Sequence, residues 1–274
     1  MPSKEGLVRR LHFCQWTESE RSAIPREIWM KAETKVDPEL LVAQGYRCFG
    51  GLDLAQVNDL CSFTLTWMPV ETKDQWEFLS KTWFWHAKDT LAAHAKRDHA
   101  PYDVWASQGF IETPPGKVLK FGWLASALLD ICGRYNPVMI GCDEYGLKQL
   151  NEKLAEIGHT LPCHVHPQGF QRRQVGKNDA HEGTGAETIE LWMPDSINKL
   201  ETALLEGRIK VDENPAMRMG AQSVSYESNR TGHRMFAKEK TTTRIDGMIS
   251  LSMSVGIATV AQASTPAYQM FVLA

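Results

Sequence analysis

The run "PVMIGCDEYG", residues 137 to 146, constrains the fold more than any other stretch. It is nearly continuous in apolar residues, short, and ends in two carboxylates. Helical patterns flank it. "FGWLASALLDICGRYN" precedes it, with apolar positions at Leu124, Leu128 and Ile131, and "LKQLNEKLAEIG" follows, closed by Gly158. A short apolar run between two helices fits a strand buried on both faces, the middle of a parallel crossover. The chain therefore needs a sheet with helices on both sides.

Ahead of this unit the pattern changes. "RCFGGLDLA", "LCSFTLTWMPV" and "DQWEFLSKTWFWH" are rich in β-branched and aromatic residues, and short polar turns such as "PVETKD" join them. They read as three strands of an antiparallel meander. "KDTLAAHAKRDHAPYDVWASQGF" is helical up to Pro101 and irregular beyond it. "LPCHVHP" and "RIKV" read as short strands, and "GFQRRQVGKNDAHEGTGAE" as a polar, mobile stretch. "AETIELWMPDSINKLETALLEG" reads as mostly helical. "MGAQSVSYESNRTGHRMFAKEK" reads as a hairpin turning at Asn229 to Gly232, and "RIDGMISLSMSVGIATVAQA" as a strongly apolar last helix. The expected class is α/β: a mixed sheet, antiparallel meander plus parallel strands, flanked by helices. Residues 1–45 read as a connector, 46–263 as one domain and 264–274 as a tail.

Bulk properties exclude several function classes. A formal net charge of -3 argues against holding nucleic acid by bulk electrostatics alone. No apolar run approaches the roughly 18 residues a membrane span needs, and the first residues lack the apolar core of a signal peptide. Six cysteines without a CxxC pair read as reduced, mostly buried thiols of a cytoplasmic protein. Trp67, Trp76, Trp83 and Trp85 fall in alternating patterns and read as sheet packing.

Three carboxylates stand in apolar elements. Asp53 sits inside "FGGLDLAQVNDL", Asp143 ends the buried strand with Glu144 beside it, and Asp246 opens the last helix. A carboxylate in a strand core is costly unless something pairs with it. Each has an ordinary explanation: a buried Arg partner for Asp53, a helix cap for Asp143, the helix dipole for Asp246. Brought together at one sheet edge, the three repel unless a cation sits among them, and hard divalent ions such as Mg²⁺ and Mn²⁺ take such oxygen ligands. Spacing alone leaves that convergence open. Cys163, His164 and His166 form a weaker constellation, because no second Cys/His pair at finger-like spacing completes a zinc site.

The stretches "GGLDLAQVNDLCSFTLTW", "APYDVWASQGFIETPPGKVL", "VMIGCDEYGLKQLNEKLAEIG" and "KTTTRIDGMISLSMSVGIA" occur in the order found in one family. In them the chain resembles the nuclease domain of the large terminase subunit of tailed double-stranded DNA bacteriophages or prophages. The lead-in "LHFCQWTES" looks like that family's connector after its ATPase domain. The resemblance implies an RNase H-like fold and two-metal hydrolysis of concatemeric viral DNA during packaging, in the host bacterial cytoplasm. It implies two Mg or Mn ions held by Asp53, Asp143 and Asp246, with Asp59 as an auxiliary ligand. Arg172, Arg173, Lys177, Lys238 and Lys240 are the expected DNA contacts, although a solvated charge run explains Lys238 and Lys240 at least as well. Implied partners are double-stranded DNA, the ATPase domain of the same subunit, the portal protein and the small terminase subunit, with no membrane. The chain carries no GxxxxGK[ST] phosphate loop, so ATP hydrolysis is not expected of it. The competing expectation is a docking module for DNA or portal with weak or gated nuclease activity.

Overall fold

The computed structural model describes residues 22–54, 60–69, 78–176, 188–238 and 244–263. In chain order its elements are helix α1 (Arg26–Ala32), strand β1 (Glu33–Thr34), α2 (Pro38–Ala43), β2 (Arg47–Asp53), β3 (Cys61–Met68), β4 (Phe78–Trp85), α3 (Leu91–Asp98), α4 (Tyr102–Ser107), α5 (Phe121–Tyr135), β5 (Ile140–Cys142), α6 (Glu144–Glu156), β6 (Cys163–Val165), β7 (Arg173–Gly176), β8 (Thr188–Leu191), α7 (Met193–Leu205), β9 (Ile209–Asp212), α8 (Pro215–Ser223), β10 (Val224–Ser228), β11 (Arg234–Lys238) and α9 (Asp246–Ala263).

The main sheet has the order β1-β9-β4-β3-β2-β5-β6. β2, β3 and β4 form the antiparallel meander, and β5 and β6 extend it in parallel from β2. β9 and β1 continue in parallel from β4. This is the RNase H-like mixed sheet. β5 is buried on both faces, as its apolar run requires: Ile140 and Cys142 join the layer under α5 and α6, and Gly141 lies against Ile257 of α9 on the other face. Among the described residues, no helix is long and apolar enough to cross a membrane.

All of β3 is buried, yet its two faces differ. Cys61, Phe63, Leu65 and Trp67 join the apolar layer under α5 and α6. Ser62, Thr64 and Thr66 face α9 and are satisfied by other hydroxyls. Ser62 Oγ donates to Ser250 Oγ at 3.0 Å, Thr64 Oγ1 lies 2.8 Å from both Ser250 Oγ and Thr82 Oγ1, and Thr66 Oγ1 lies 2.7 Å from Ser254 Oγ. Small residues let the helix come this close. A Cβ on Gly51 would collide with the Ser250 carbonyl, and one on Gly256 with the Ser196 side chain of α7. α9 is thus clamped between sheet and α7, which is why its sequence is apolar or hydroxyl-bearing all round.

The structure differs from the sequence reading at several places. α3 ends at Asp98 with His99 in the left-handed region, and after Pro101 the chain forms α4, where the sequence reading expected irregular structure. The polar stretch contains β7, paired with β8; Val175 faces Ile189, and both are buried. Thr188–Leu191 is strand, and the helix starts at Met193. α6 begins at Glu144, ahead of Leu147, because Asp143 caps it. Within the expected connector, Ile24 and Trp29 enter the main core and β1 pairs with β9.

Candidate active site

β2 ends on Asp53, and β5 ends one residue before Asp143. In the parallel pair Leu52 aligns with Cys142, so Asp53 and Asp143 occupy matching positions at the ends of neighbouring strands, with strand axes about 4.8 Å apart. Pleat alternation puts Phe49, Gly51 and Asp53 on the face covered by α9; Phe49 packs in the α9 core and Gly51 lies under Ser250. Across the sheet, Asp53 pairs with Ser62 and Ser62 with Phe84. α9 enters over this same row: Gly247 lies against Phe84, and Ser250 bonds Ser62. Asp246, one residue before Gly247, therefore opens α9 at the end of the sheet where Asp53 and Asp143 lie.

Each acid has a distinct environment. Asp53 is half-buried, and its Oδ1 accepts from Gln168 Nε2 at 2.9 Å. Asp143 is half-buried, and its Oδ1 accepts from Gly146 N at 3.0 Å as the cap of α6. Asp246 is only 7% exposed at the N-terminus of an 18-residue helix, where the dipole favours negative charge. The edge is electronegative enough to reach the strand interior. Burial pushes the Cys142 thiol well up, and Cys163 and the Asp143 and Asp53 carboxylates push it further.

A cleft of about 420 Å³ opens beside Asp143. Glu144, Gln168, Gln171, Arg172 and Arg173 help line it. Arg173 Nη1 donates to Glu144 Oε1 at 3.2 Å, and Arg172 Nη1 donates to Glu190 Oε1 at 2.7 Å. The Arg172 guanidinium also lies 4.0 Å over the Trp192 ring. Both arginines are thus brought to the acidic edge, and their exposed ion pairs are weak enough to exchange. Lys238 ends β11 opposite Val224. Asp59, Lys177 and Lys240 lie outside the described residues.

Among the described residues, no three His, Cys, Asp or Glu side chains form a ready-made metal cage. The zinc constellation has a structural occupation instead. His166 is fully buried, with Nε2 2.9 Å from Ser196 Oγ and Nδ1 3.0 Å from the Pro167 carbonyl. Burial pulls its pKa down to about 4. Sequence reasoning missed Gln168 and Trp192, which touch Asp53 and Arg172. Gln168 stands in a polar stretch with no periodicity to mark it. Trp192 had a signal, a tryptophan directly after the "TIEL" alternation.

No family model matches the chain. It is 28% identical to the terminase large subunit of Enterobacteria phage HK97 over 259 residues, which is 94% of this chain and 45% of that protein. The crystal structure of the HK97 large terminase superposes with a TM-score of 0.70 at 27% identity, covering 93% of this chain and 47% of the other. The large terminase nuclease from thermophilic phage G20c is a distant likeness, with a TM-score of 0.43 at 10% identity over 76% of this chain and 81% of that one. In sequence and in fold, the chain is similar to the terminase large subunit of phage HK97 and spans about half the length of that curated relative.

Proposed function

We propose that this chain is the nuclease part of a terminase large subunit, a divalent-metal-dependent endonuclease that cuts concatemeric double-stranded viral DNA during genome packaging. One observation carries the reading: Asp53 ends β2, Asp143 follows the end of the neighbouring parallel strand β5 at the matching position, and Asp246 opens α9 over the same end of the sheet. The donor set fits hard cations. It is all carboxylate oxygen, and Mg²⁺ or Mn²⁺ keeps several waters, so few protein ligands are needed. Asp53, Asp143 and Asp246, with Asp59 as auxiliary ligand, would hold two such ions, which supply water activation and stabilisation of the leaving oxygen.

The rest falls to the chain's own residues. Gln168 fixes one oxygen of Asp53, and the Gly146 amide fixes one of Asp143. Arg172 and Arg173 exchange Glu190 and Glu144 for backbone phosphates entering the cleft. Trp192 limits the orientations of the Arg172 guanidinium, so less entropy is lost on capture. Lys177, Lys238 and Lys240 extend the contact. Such contacts give salt-dependent, sequence-tolerant binding. The ATPase domain of the same subunit, the portal protein and the small terminase subunit are the proposed partners, in the host cytoplasm.

The contacts from Gln168 and Arg173 to acidic residues favour a second reading, a gated nuclease that acts mainly as a docking module until the motor engages it. Plasmid cleavage with Mn²⁺, Mg²⁺ or EDTA, beside Asp246→Ala, separates the two. Metal-dependent cutting abolished by the substitution is the expected result. Cutting that survives both EDTA and the substitution would sink the mechanism, and a folded but inactive chain would favour the docking module.

A further inference from the structure

Tyr145 is 81% exposed, more than any other large apolar side chain among the described residues. It stands two residues after Asp143, in the first turn of α6. The backbone there is fixed. Asp143 Oδ1 accepts from Gly146 N at 3.0 Å, Gly146 lies against the Leu54 side chain, and Leu147 and Leu150 are buried on the inner face of the helix. The ring is held outward, since turning it in would pull that buried face out of the core. Lys148, three positions on, is exposed on the same outer face. The residue before Tyr145 belongs to the cleft: Glu144 lines it with Arg172 and Arg173, and Arg173 Nη1 donates to Glu144 Oε1 at 3.2 Å. Tyr145 thus stands at the rim of the cleft, with arginines inside the rim and a lysine one turn along outside it.

An aromatic ring held in water gains by meeting a flat apolar surface. A nucleobase offers one whatever its identity, so stacking on it needs no sequence. The neighbours favour nucleic acid over a protein face, because Arg172, Arg173 and Lys148 all complement phosphate. A base inside continuous duplex is already stacked on both sides, whereas a base at the edge of a gap has a face to give. We propose that Tyr145 is a substrate contact that stacks on a nucleoside flanking the scissile phosphate, with Lys148 on the adjoining phosphate, so that the chain favours DNA interrupted at the cleavage point over continuous duplex. The inference rests on the nuclease reading and names the form of DNA that this site takes best.

Fluorescence anisotropy tests it with two DNAs of one sequence, a continuous duplex and a duplex with a short gap edged by 2-aminopurine. Both are measured in Ca²⁺, a hard cation for the same carboxylate oxygens. The parent is expected to bind the gapped duplex more tightly and to quench its 2-aminopurine, as stacking does. Tyr145→Leu should lose about five- to a hundredfold in affinity for the gapped duplex, the range of one base–aromatic stack, together with the quenching, and change by less than about twofold on continuous duplex. Tyr145→Phe keeps the ring and should stay within about twofold of the parent. The side chain is exposed, so neither substitution threatens the fold. Equal parent affinity for the two duplexes overturns the proposal. So do an unchanged Tyr145→Leu, an equal loss on both duplexes, or a Tyr145→Phe as weak as Tyr145→Leu. A parent that binds neither duplex, or whose binding is indifferent to Arg172→Ala with Arg173→Ala, takes down the DNA reading itself. Arginine-dependent binding with indifferent Tyr145 variants takes down only this inference and leaves the ring to a protein partner.

Discussion

Two acidic centres lie close together in this molecule and are built on opposite rules. Asp98 is fully buried and takes two arginines and a tyrosine hydroxyl. Asp53 and Asp143 are half-buried; the Gln168 side-chain amide donates to Asp53 and the Gly146 backbone amide to Asp143. A carboxylate that only holds structure together is neutralised where it stands. Two carboxylates at matching ends of neighbouring strands repel each other, and a divalent cation between them would relieve that repulsion. The contrast also explains why the hydroxyl layer between sheet and α9 carries no formal charge: it sets the helix height while leaving the field at the edge to the acids.

The contrast breaks first on stability. Asp98→Asn should lose about 3–5 kcal/mol in urea unfolding, because it leaves buried guanidinium charge without its counterion. Asp53→Asn and Asp143→Asn should leave stability within about 1 kcal/mol of the parent, or raise it, by relieving like-charge repulsion. In plasmid cleavage the order inverts. The two edge variants should lose about a hundred- to a thousandfold in rate, the scale seen when a group that stabilises transition-state charge is removed.

His166 sharpens the comparison between these extremes, since it lines the cleft yet serves the core. Its folded pKa of about 4 lies below the usual histidine value of 6.5, so the unfolded chain takes up the proton first. Its contribution is present in full above pH 6.5 and is lost as pH falls toward 4, by up to about 3 kcal/mol. His166→Gln should flatten the stability profile in that window in thermal melts across pH. The smallest effect belongs to Gln168→Ala. This exposed contact should change stability by less than about 1 kcal/mol, while Mn²⁺ affinity shifts measurably because Asp53 loses its fixed oxygen. A larger loss of stability would mean that Gln168 is structural and the edge is less open than its geometry indicates.

Much of this was legible in the chain because the signals were periodic. The apolar run before Asp143 and the alternation through Trp67 and Trp85 set the sheet, and the strongly apolar run after Asp246 set the last helix. The acids were visible as charges in apolar elements, and β5 pairing beside β2 brings Asp53 and Asp143 to matching strand ends, which spacing left open. Illegible were features made by tertiary contact. β7 is masked by arginines and glutamines because only Val175 faces inward. Gln168 reaches Asp53 across 115 positions, and Arg244 reaches Asp98 across 146, separations that no local pattern encodes. The helix after Pro101 was missed because Pro101 was read as the end of helical structure, whereas α3 ends earlier at His99 and the residues after the proline are helical again.

The most direct test of the two-centre account is an anomalous-difference map from crystals of this chain soaked in Mn²⁺. The account predicts density in direct coordination with the Asp53 and Asp143 carboxylates and none at Asp98. Empty density between Asp53 and Asp143, with the chain otherwise intact and Mn²⁺ in excess, would contradict it.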